Sequence, residues 1–89
     1  MKPISDESYL KISPNPANEY ITVSYNINGV INGLRLFITD AMGRAVYDKN
    51  LNKAKDEQLL IIKDYAKGTY FCTIFNNGKV IKSGKFIKN

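Results

Sequence analysis

The chain of 89 residues contains no histidine, no tryptophan and one cysteine, Cys72. Without histidine there is no imidazole for acid–base catalysis or metal binding. A single cysteine cannot form an intramolecular disulfide, and zinc or iron–sulfur sites need several cysteines or histidines. Cys72 alternates with Tyr70 and Ile74, which predicts a buried core thiol rather than a nucleophile. We therefore expect no cofactor and no metal site.

Long apolar runs are also absent. No stretch approaches the roughly 18 apolar residues that a membrane-spanning helix needs, so we expect no membrane insertion. The opening "MKPISDES" lacks the apolar region of a secretory leader. If the chain is the end of a longer protein, the targeting signal would lie farther upstream. We interpret residues 1–8 as a linker or an expression-derived segment. Residues 9–89 are predicted to form one domain with a small core.

Acidic residues are scarce at the end of the chain. Residues 1–65 carry 8 basic and 8 acidic side chains, so the net charge of +5 comes from five later lysines. Four of these recur at every third position, a spacing that alternates between the two faces of a strand. With only Phe86 among them there is no stacking platform, so nucleic acid is not an expected partner. Lysines on an edge strand are better explained as protection against aggregation.

Alternation of apolar and polar residues dominates the rest of the sequence. In "YITVSYNI" the apolar face is Ile21, Val23, Tyr25 and Ile27, and "QLLIIKD" is a short apolar run, as expected of a strand buried on both faces. Turn signals separate such segments every 8–12 residues. The pattern predicts an all-β fold, a seven-stranded immunoglobulin-like antiparallel β-sandwich. The predicted strands are 9–13, 19–27, 34–40, 45–49, 58–63, 69–76 and 79–88.

Two turns have specific chemistry. Asn77-Gly78 lies between two apolar runs and predicts a tight hairpin in which both residues have positive φ. "DAMG" has Asp40 in the first position and Gly43 in the fourth, which is typical of a type I turn. In "GTYFC", the spacing of Gly68, Tyr70 and Cys72 is similar to the tyrosine corner of immunoglobulin domains, although the first cysteine and the tryptophan of those domains are missing.

Nothing in the sequence favours an enzyme. The eight acids are scattered, and the adjacent Asp56 and Glu57 would point to opposite faces of a strand. No glycine-rich phosphate loop occurs. General acid–base work needs positioned groups in a water-poor pocket, and we expect none here.

The order of the motifs along the chain is more specific for a protein family than any one motif is alone. "ISPNPANEYITVSY", "LRLFITDAMGRAVYD" and "KGTYFCTIFNNGKVIKSGKFIKN" occur in this order. Over residues 9–89 the chain resembles the C-terminal sorting domain of proteins exported by the type IX secretion system, across the Gram-negative outer membrane. The matching residues are Pro14, Asn15, Pro16, Asp40, Gly43, Arg44, Val46, Gly68, Tyr70, Lys82, Lys85, Phe86 and Lys88.

The resemblance implies a signal rather than a catalyst. An upstream cargo in the same chain would reach the periplasm, and translocon components would then carry it to the cell surface or the medium. A sortase would cut in or before residues 1–8. The candidate residues for translocon recognition are Lys79, Lys82, Lys85, Phe86 and Lys88. We also expect the last strand to be an exposed edge that pairs with a partner strand.

A carbohydrate-binding or adhesion module is the alternative. Phe37, Phe71, Phe75 and Tyr47 would line a sugar platform if they shared one exposed face. The favoured interpretation places the phenylalanines inside the sandwich.

Overall fold

The computed structural model describes residues 8–89, in which seven β-strands and no helix occur. Accordingly, none of these residues belongs to a helix that could span a membrane. The prediction of a linker over residues 1–8 lies outside the described residues except at Ser8, whose hydroxyl accepts a hydrogen bond from the Asn28 N–H. The strands are β1 (Tyr9–Ser13), β2 (Tyr20–Asn26), β3 (Arg35–Asp40), β4 (Ala45–Asn50), β5 (Lys55–Ile61), β6 (Gly68–Asn76) and β7 (Lys79–Lys88).

The strands form two packed antiparallel sheets, which confirms the immunoglobulin-like sandwich. The order is β1-β2-β5 in the three-stranded sheet and β4-β3-β6-β7 in the four-stranded sheet. The chain changes sheet after β2, after β4 and after β5. Strands β1 and β7 thus lie at neighbouring edges of the two sheets, and β5 is the far edge of the smaller sheet.

The core lies between the sheets and consists of the alternating residues that the sequence predicts. Ile21, Val23 and Tyr25 of β2 face the other sheet and are almost completely buried. Leu36 and Ile38 of β3 and Tyr70, Cys72 and Ile74 of β6 oppose them. Burial of this apolar area is the main source of stability in a domain of this size.

Strand β5 departs from the prediction. It spans Lys55–Ile61 rather than 58–63, and it is an edge strand that is buried on one face only. Leu60 and Ile62 are buried, but Leu59 and Ile61 remain 66% and 63% exposed. The expectation of a strand buried on both faces is therefore wrong. β5 begins earlier because the polar residues 55–58 pair with the long strand β2.

Both predicted turns are confirmed. Asn77 and Gly78 have φ values of 54° and 76°, as a tight hairpin with a right-handed strand twist requires. At the β3–β4 turn the Gly43 N–H donates to the Asp40 carbonyl at 3.0 Å.

Candidate functional site

The residues that carry the sequence motifs converge at one end of the sandwich. We call this the motif end and define it as residues 14–18, 40–44, 62–70 and 85–89. The strand register brings them together: Asp40 lies opposite Tyr70, and Gly68 lies opposite Lys88. The other end carries the β6–β7 hairpin, so Lys79 lies away from the rest of the motif.

Strand β7 distributes its candidate residues over two faces. Lys85 faces solvent and lies opposite the exposed Phe71. Phe86 points inward and is completely buried, with its ring stacked on Tyr70 at a centroid distance of 5.2 Å. Lys82 and Lys88 share the face of Phe86 but are only partly buried. Hence Phe86 offers no surface to a partner of the folded domain, and it contributes by positioning the strand.

The outer edge of β7 is covered over its last residues. The Asn15 side chain donates to the Lys85 carbonyl at 3.1 Å and accepts from the Ile87 N–H at 3.0 Å. The Ala17 N–H then donates to the Ile87 carbonyl, and Ala17 accepts from Asn89. The amide of Asn15 thus takes the place of a neighbouring strand. The sequence predicted that β7 is an exposed edge. In the structure, only the part of β7 before Lys85 is uncovered.

Replacing Asn15 with alanine is expected to destabilise the domain by about 1 kcal/mol, because two hydrogen bonds are exchanged for bonds to water. Amide hydrogen exchange would report the change directly, since the Ile87 N–H loses its acceptor. Asn18→Ala is the control, because the Asn18 side chain forms no hydrogen bond within residues 8–89. Equal protection of Ile87 in both variants would contradict the assignment.

Asp40 organises the β3–β4 turn. Its carboxylate accepts hydrogen bonds from the N–H groups of Met42 and Arg44, both at 2.9 Å, and from the Arg44 Nε at 2.9 Å. These bonds, chiefly that from the Arg44 N–H, lower the pKa of Asp40. Gly43 has a φ of +85°, which only glycine adopts without strain. The Asp-x-x-Gly-Arg pattern is therefore explained by the turn itself.

Tyr70 forms the predicted tyrosine corner. Its hydroxyl donates to the carbonyl of Ala66, four residues earlier, at 2.6 Å. Its ring contacts Tyr65 at 5.3 Å on one side and Phe86 on the other. Gly68 has a φ of +144°, so the start of β6 also depends on glycine. The corner holds the β5–β6 loop against the strand.

An open groove of about 530 Å³ separates the β3–β4 turn from the β5–β6 loop. Exposed Met42 and charged Arg44, Asp64 and Lys67 line it, together with the Tyr70 corner. Within residues 8–89, no cluster of three potential metal ligands exists. Cys72 lies elsewhere in the core, and burial raises the pKa of its thiol to about 12.

Comparison with known protein families matches residues 11–89 to the secretion system C-terminal sorting domain of the type IX system. The chain belongs to this family. A comparison with curated proteins finds no match. The sorting domain is thus a type IX secretion signal, which implies export of cargo to the cell surface or extracellular space, and its family is not an enzymatic one.

The sequence interpretation placed Phe37, Phe71 and Phe75 of the sorting domain inside the sandwich, and this is wrong. Phe37, Phe71 and Phe75 share the outer face of the four-stranded sheet, whereas Tyr47 packs towards the core. Phe37 and Phe75 meet edge to face at 6.0 Å. The Arg35 guanidinium covers both rings at 5.2 and 5.7 Å and pairs with Asp48. This leaves Phe71 as the exposed phenylalanine of this face, which is a poor platform for a sugar.

Sequence reasoning missed two features of the surface. One is the cover that Asn15 forms over β7, for which the Pro-Asn-Pro motif was the available signal. The other is the exposed apolar side of β5 with Leu59 and Ile61. No signal in the sequence distinguishes this edge strand from a central one, because a continuous apolar run is compatible with both.

Proposed function

We propose that type IX translocon components read the motif end of the folded sandwich and thereby export an upstream cargo in the same chain. The observation that supports this proposal is the convergence of the family motifs, far apart in sequence, on one end of the domain. Several of these residues have structural roles there, and those roles fix the shape of the surface that a receptor would contact.

Positive charge favours an acidic receptor surface. Lys85 and Lys88 lie at the motif end, and exposed Lys63 and Lys67 lie in the β5–β6 loop. Asp40 is neutralised locally by Arg44. We propose Lys85 and Lys88 as the main contacts, with Lys82 and Lys79 progressively farther from the motif end. Complementary charge steers such encounters and selects partners.

We further propose that a sortase acts on the N-terminal side, in or before residues 1–8. β1 starts at Tyr9, at the end of the sandwich opposite the motif end, because β1 runs towards Pro14. The domain measures 47 Å along its longest axis. A sortase and a translocon component would therefore engage opposite ends without competing for space. In this proposal the domain has no catalytic activity, and the cargo travels through the periplasm and the outer membrane.

An export assay tests the proposal in a host with a type IX system. The whole 89-residue chain is fused to a fluorescent protein that carries a periplasmic targeting signal. We expect Lys85→Glu/Lys88→Glu to reduce the exported fraction about tenfold through like-charge repulsion with an acidic receptor. Lys53→Glu/Lys55→Glu, at exposed positions away from the motif end, is the matched control and should be exported normally.

Two outcomes separate the parts of the proposal. Retention of the unchanged fusion in the periplasm would contradict the sorting role of this chain. Normal export of the Lys85/Lys88 variant would contradict charge recognition by β7 and leave the sorting role intact. Both variants must retain the melting temperature of the unchanged domain.

A further inference from the structure

The outer edge of β5 is open, and β5 and β7 are edge strands of different sheets. β5 is the last strand of its sheet, and no strand of residues 8–89 pairs with its outer side. The Ile62 N–H donates to Glu19 and the Ile27 N–H donates to Ala54, each at 2.8 Å. Even-numbered residues of β5 thus bond to β2. Backbone N–H and C=O groups of the odd-numbered residues, from Lys55 to Ile61, point to the open edge.

The side chains next to this edge are unusually apolar for an exposed edge strand. Leu59 and Ile61 are largely exposed, and Tyr20, which lies opposite Ile61, is 47% exposed. These three line an open groove of about 520 Å³, with Glu19 and Lys63 at its rim. Edge strands usually carry lysine, proline or a bulge in their centre. At β7 the side chain of Asn15 covers the edge, and at β5 the centre has none of these protections.

The sequence along this face is complementary to itself when it is reversed. Residues 57, 59, 61 and 63 are glutamate, leucine, isoleucine and lysine. In an antiparallel pair centred on Leu60, Leu59 lies opposite Ile61 of a second copy. Lys63 follows the end of β5, at the start of the β5–β6 loop, so its side chain lies near Glu57 of the second copy, and the twofold symmetry repeats both contacts. A pair centred on Leu59 would instead place Lys55 against Lys63, with like charges facing each other.

We propose that two copies of the sorting domain associate through their β5 edges in the register centred on Leu60. The two three-stranded sheets then become one continuous sheet of six strands. Odd-numbered residues form the hydrogen-bonded pairs, which agrees with the direction of their free backbone groups. Apolar side chains of both copies form one patch flanked by two ion pairs. Lys63 of the motif end takes part in these pairs, whereas Lys85 and Lys88 lie on β7, at an edge of the other sheet, and stay uncovered.

Sedimentation velocity over a concentration series tests the association and its register. We expect Glu57→Lys alone and Lys63→Glu alone each to weaken self-association about tenfold, because two attractive pairs become repulsive. An equimolar mixture of the two variants should recover association, since both pairs of the mixed dimer again have opposite charges. Leu59→Lys should abolish association, and Val80→Lys, at an exposed apolar position of the other sheet, should not.

Disulfide trapping provides a second measurement. Opposed residues of a hydrogen-bonded pair have Cα atoms about 5.5 Å apart, which a disulfide can bridge. A mixture of Leu59→Cys and Ile61→Cys should therefore form a heterodisulfide in higher yield than either variant forms a homodisulfide. The buried Cys72 does not compete for oxidation.

Three results would overturn the proposal. The first is a monomeric unchanged domain up to its solubility limit. The second is a mixture of charge variants that associates no better than either variant alone. The third is a Leu59→Cys homodisulfide that forms as readily as the mixed one, which would indicate another register.

Discussion

Replacing Phe86 with alanine is expected to lower the free energy of unfolding by about 3–5 kcal/mol, as for other large-to-small changes in a core. The ring is completely buried and stacked on Tyr70. A domain of this length has a total stability of roughly 4–13 kcal/mol. The variant would therefore be close to unfolding, and a urea titration followed by tyrosine fluorescence or circular dichroism would measure the loss.

Ile87→Ala is the matched control in the same strand. Ile87 faces solvent and is 44% exposed, so its truncation should cost less than about 1 kcal/mol. Similar losses for the two variants would show that Phe86 is not a core residue.

The large contribution of Phe86 to stability also limits which variants are useful in the export test. Deleting residues 79–89 would remove Phe86 and a whole strand, so loss of export after that deletion would not distinguish recognition from unfolding.

Tyr70→Phe is expected to destabilise the domain by about 1–2 kcal/mol while leaving the aromatic stack in place. The change removes only the hydroxyl that donates to the Ala66 carbonyl at 2.6 Å, and that carbonyl then depends on water. Because the bond anchors the β5–β6 loop, amide exchange in residues 62–67 should accelerate more than exchange in the centre of β6. Denaturant titration and hydrogen exchange together would show both effects.

Tyr65→Phe is the corresponding control. Tyr65 contacts the ring of Tyr70 at 5.3 Å, but its hydroxyl forms no hydrogen bond with another described residue. Its removal should change stability by a few tenths of a kcal/mol. An equal effect of the two substitutions would contradict the role of the tyrosine corner.

Much of the fold follows from local sequence, because alternation and turn chemistry act over a few residues. The core-facing residues of β2, β3 and β6 and the two tight turns were predicted in this way. The environment of β5 was not, since a run such as Leu59–Leu60–Ile61–Ile62 fits an edge strand as well as a central one. Phe37 posed a similar problem: alternation separates it from Leu36 and Ile38, but only the packing of the sheets decides which face is solvated.

The candidate site was predictable as a list of residues but not as a surface. Asp40 and Gly43 act within one turn, so their roles could be inferred from spacing. The contact of Asn15 with Lys85 spans 70 residues, and it depends on the placement of β7 beside the β1–β2 connection. The recognition roles of the lysines remain predictions, to be decided by the export assay.

The parallel course of β1 and β7 has a mechanical consequence. Both strands run towards the motif end, so Tyr9 and Lys88 lie at opposite ends of the long axis. A force applied between a cargo joined before Tyr9 and a machine holding the motif end would load the β1–β2 and β6–β7 ladders in shear. Many hydrogen bonds would then have to break together, rather than one after another as in unzipping. The sandwich would thus resist unfolding under such a force.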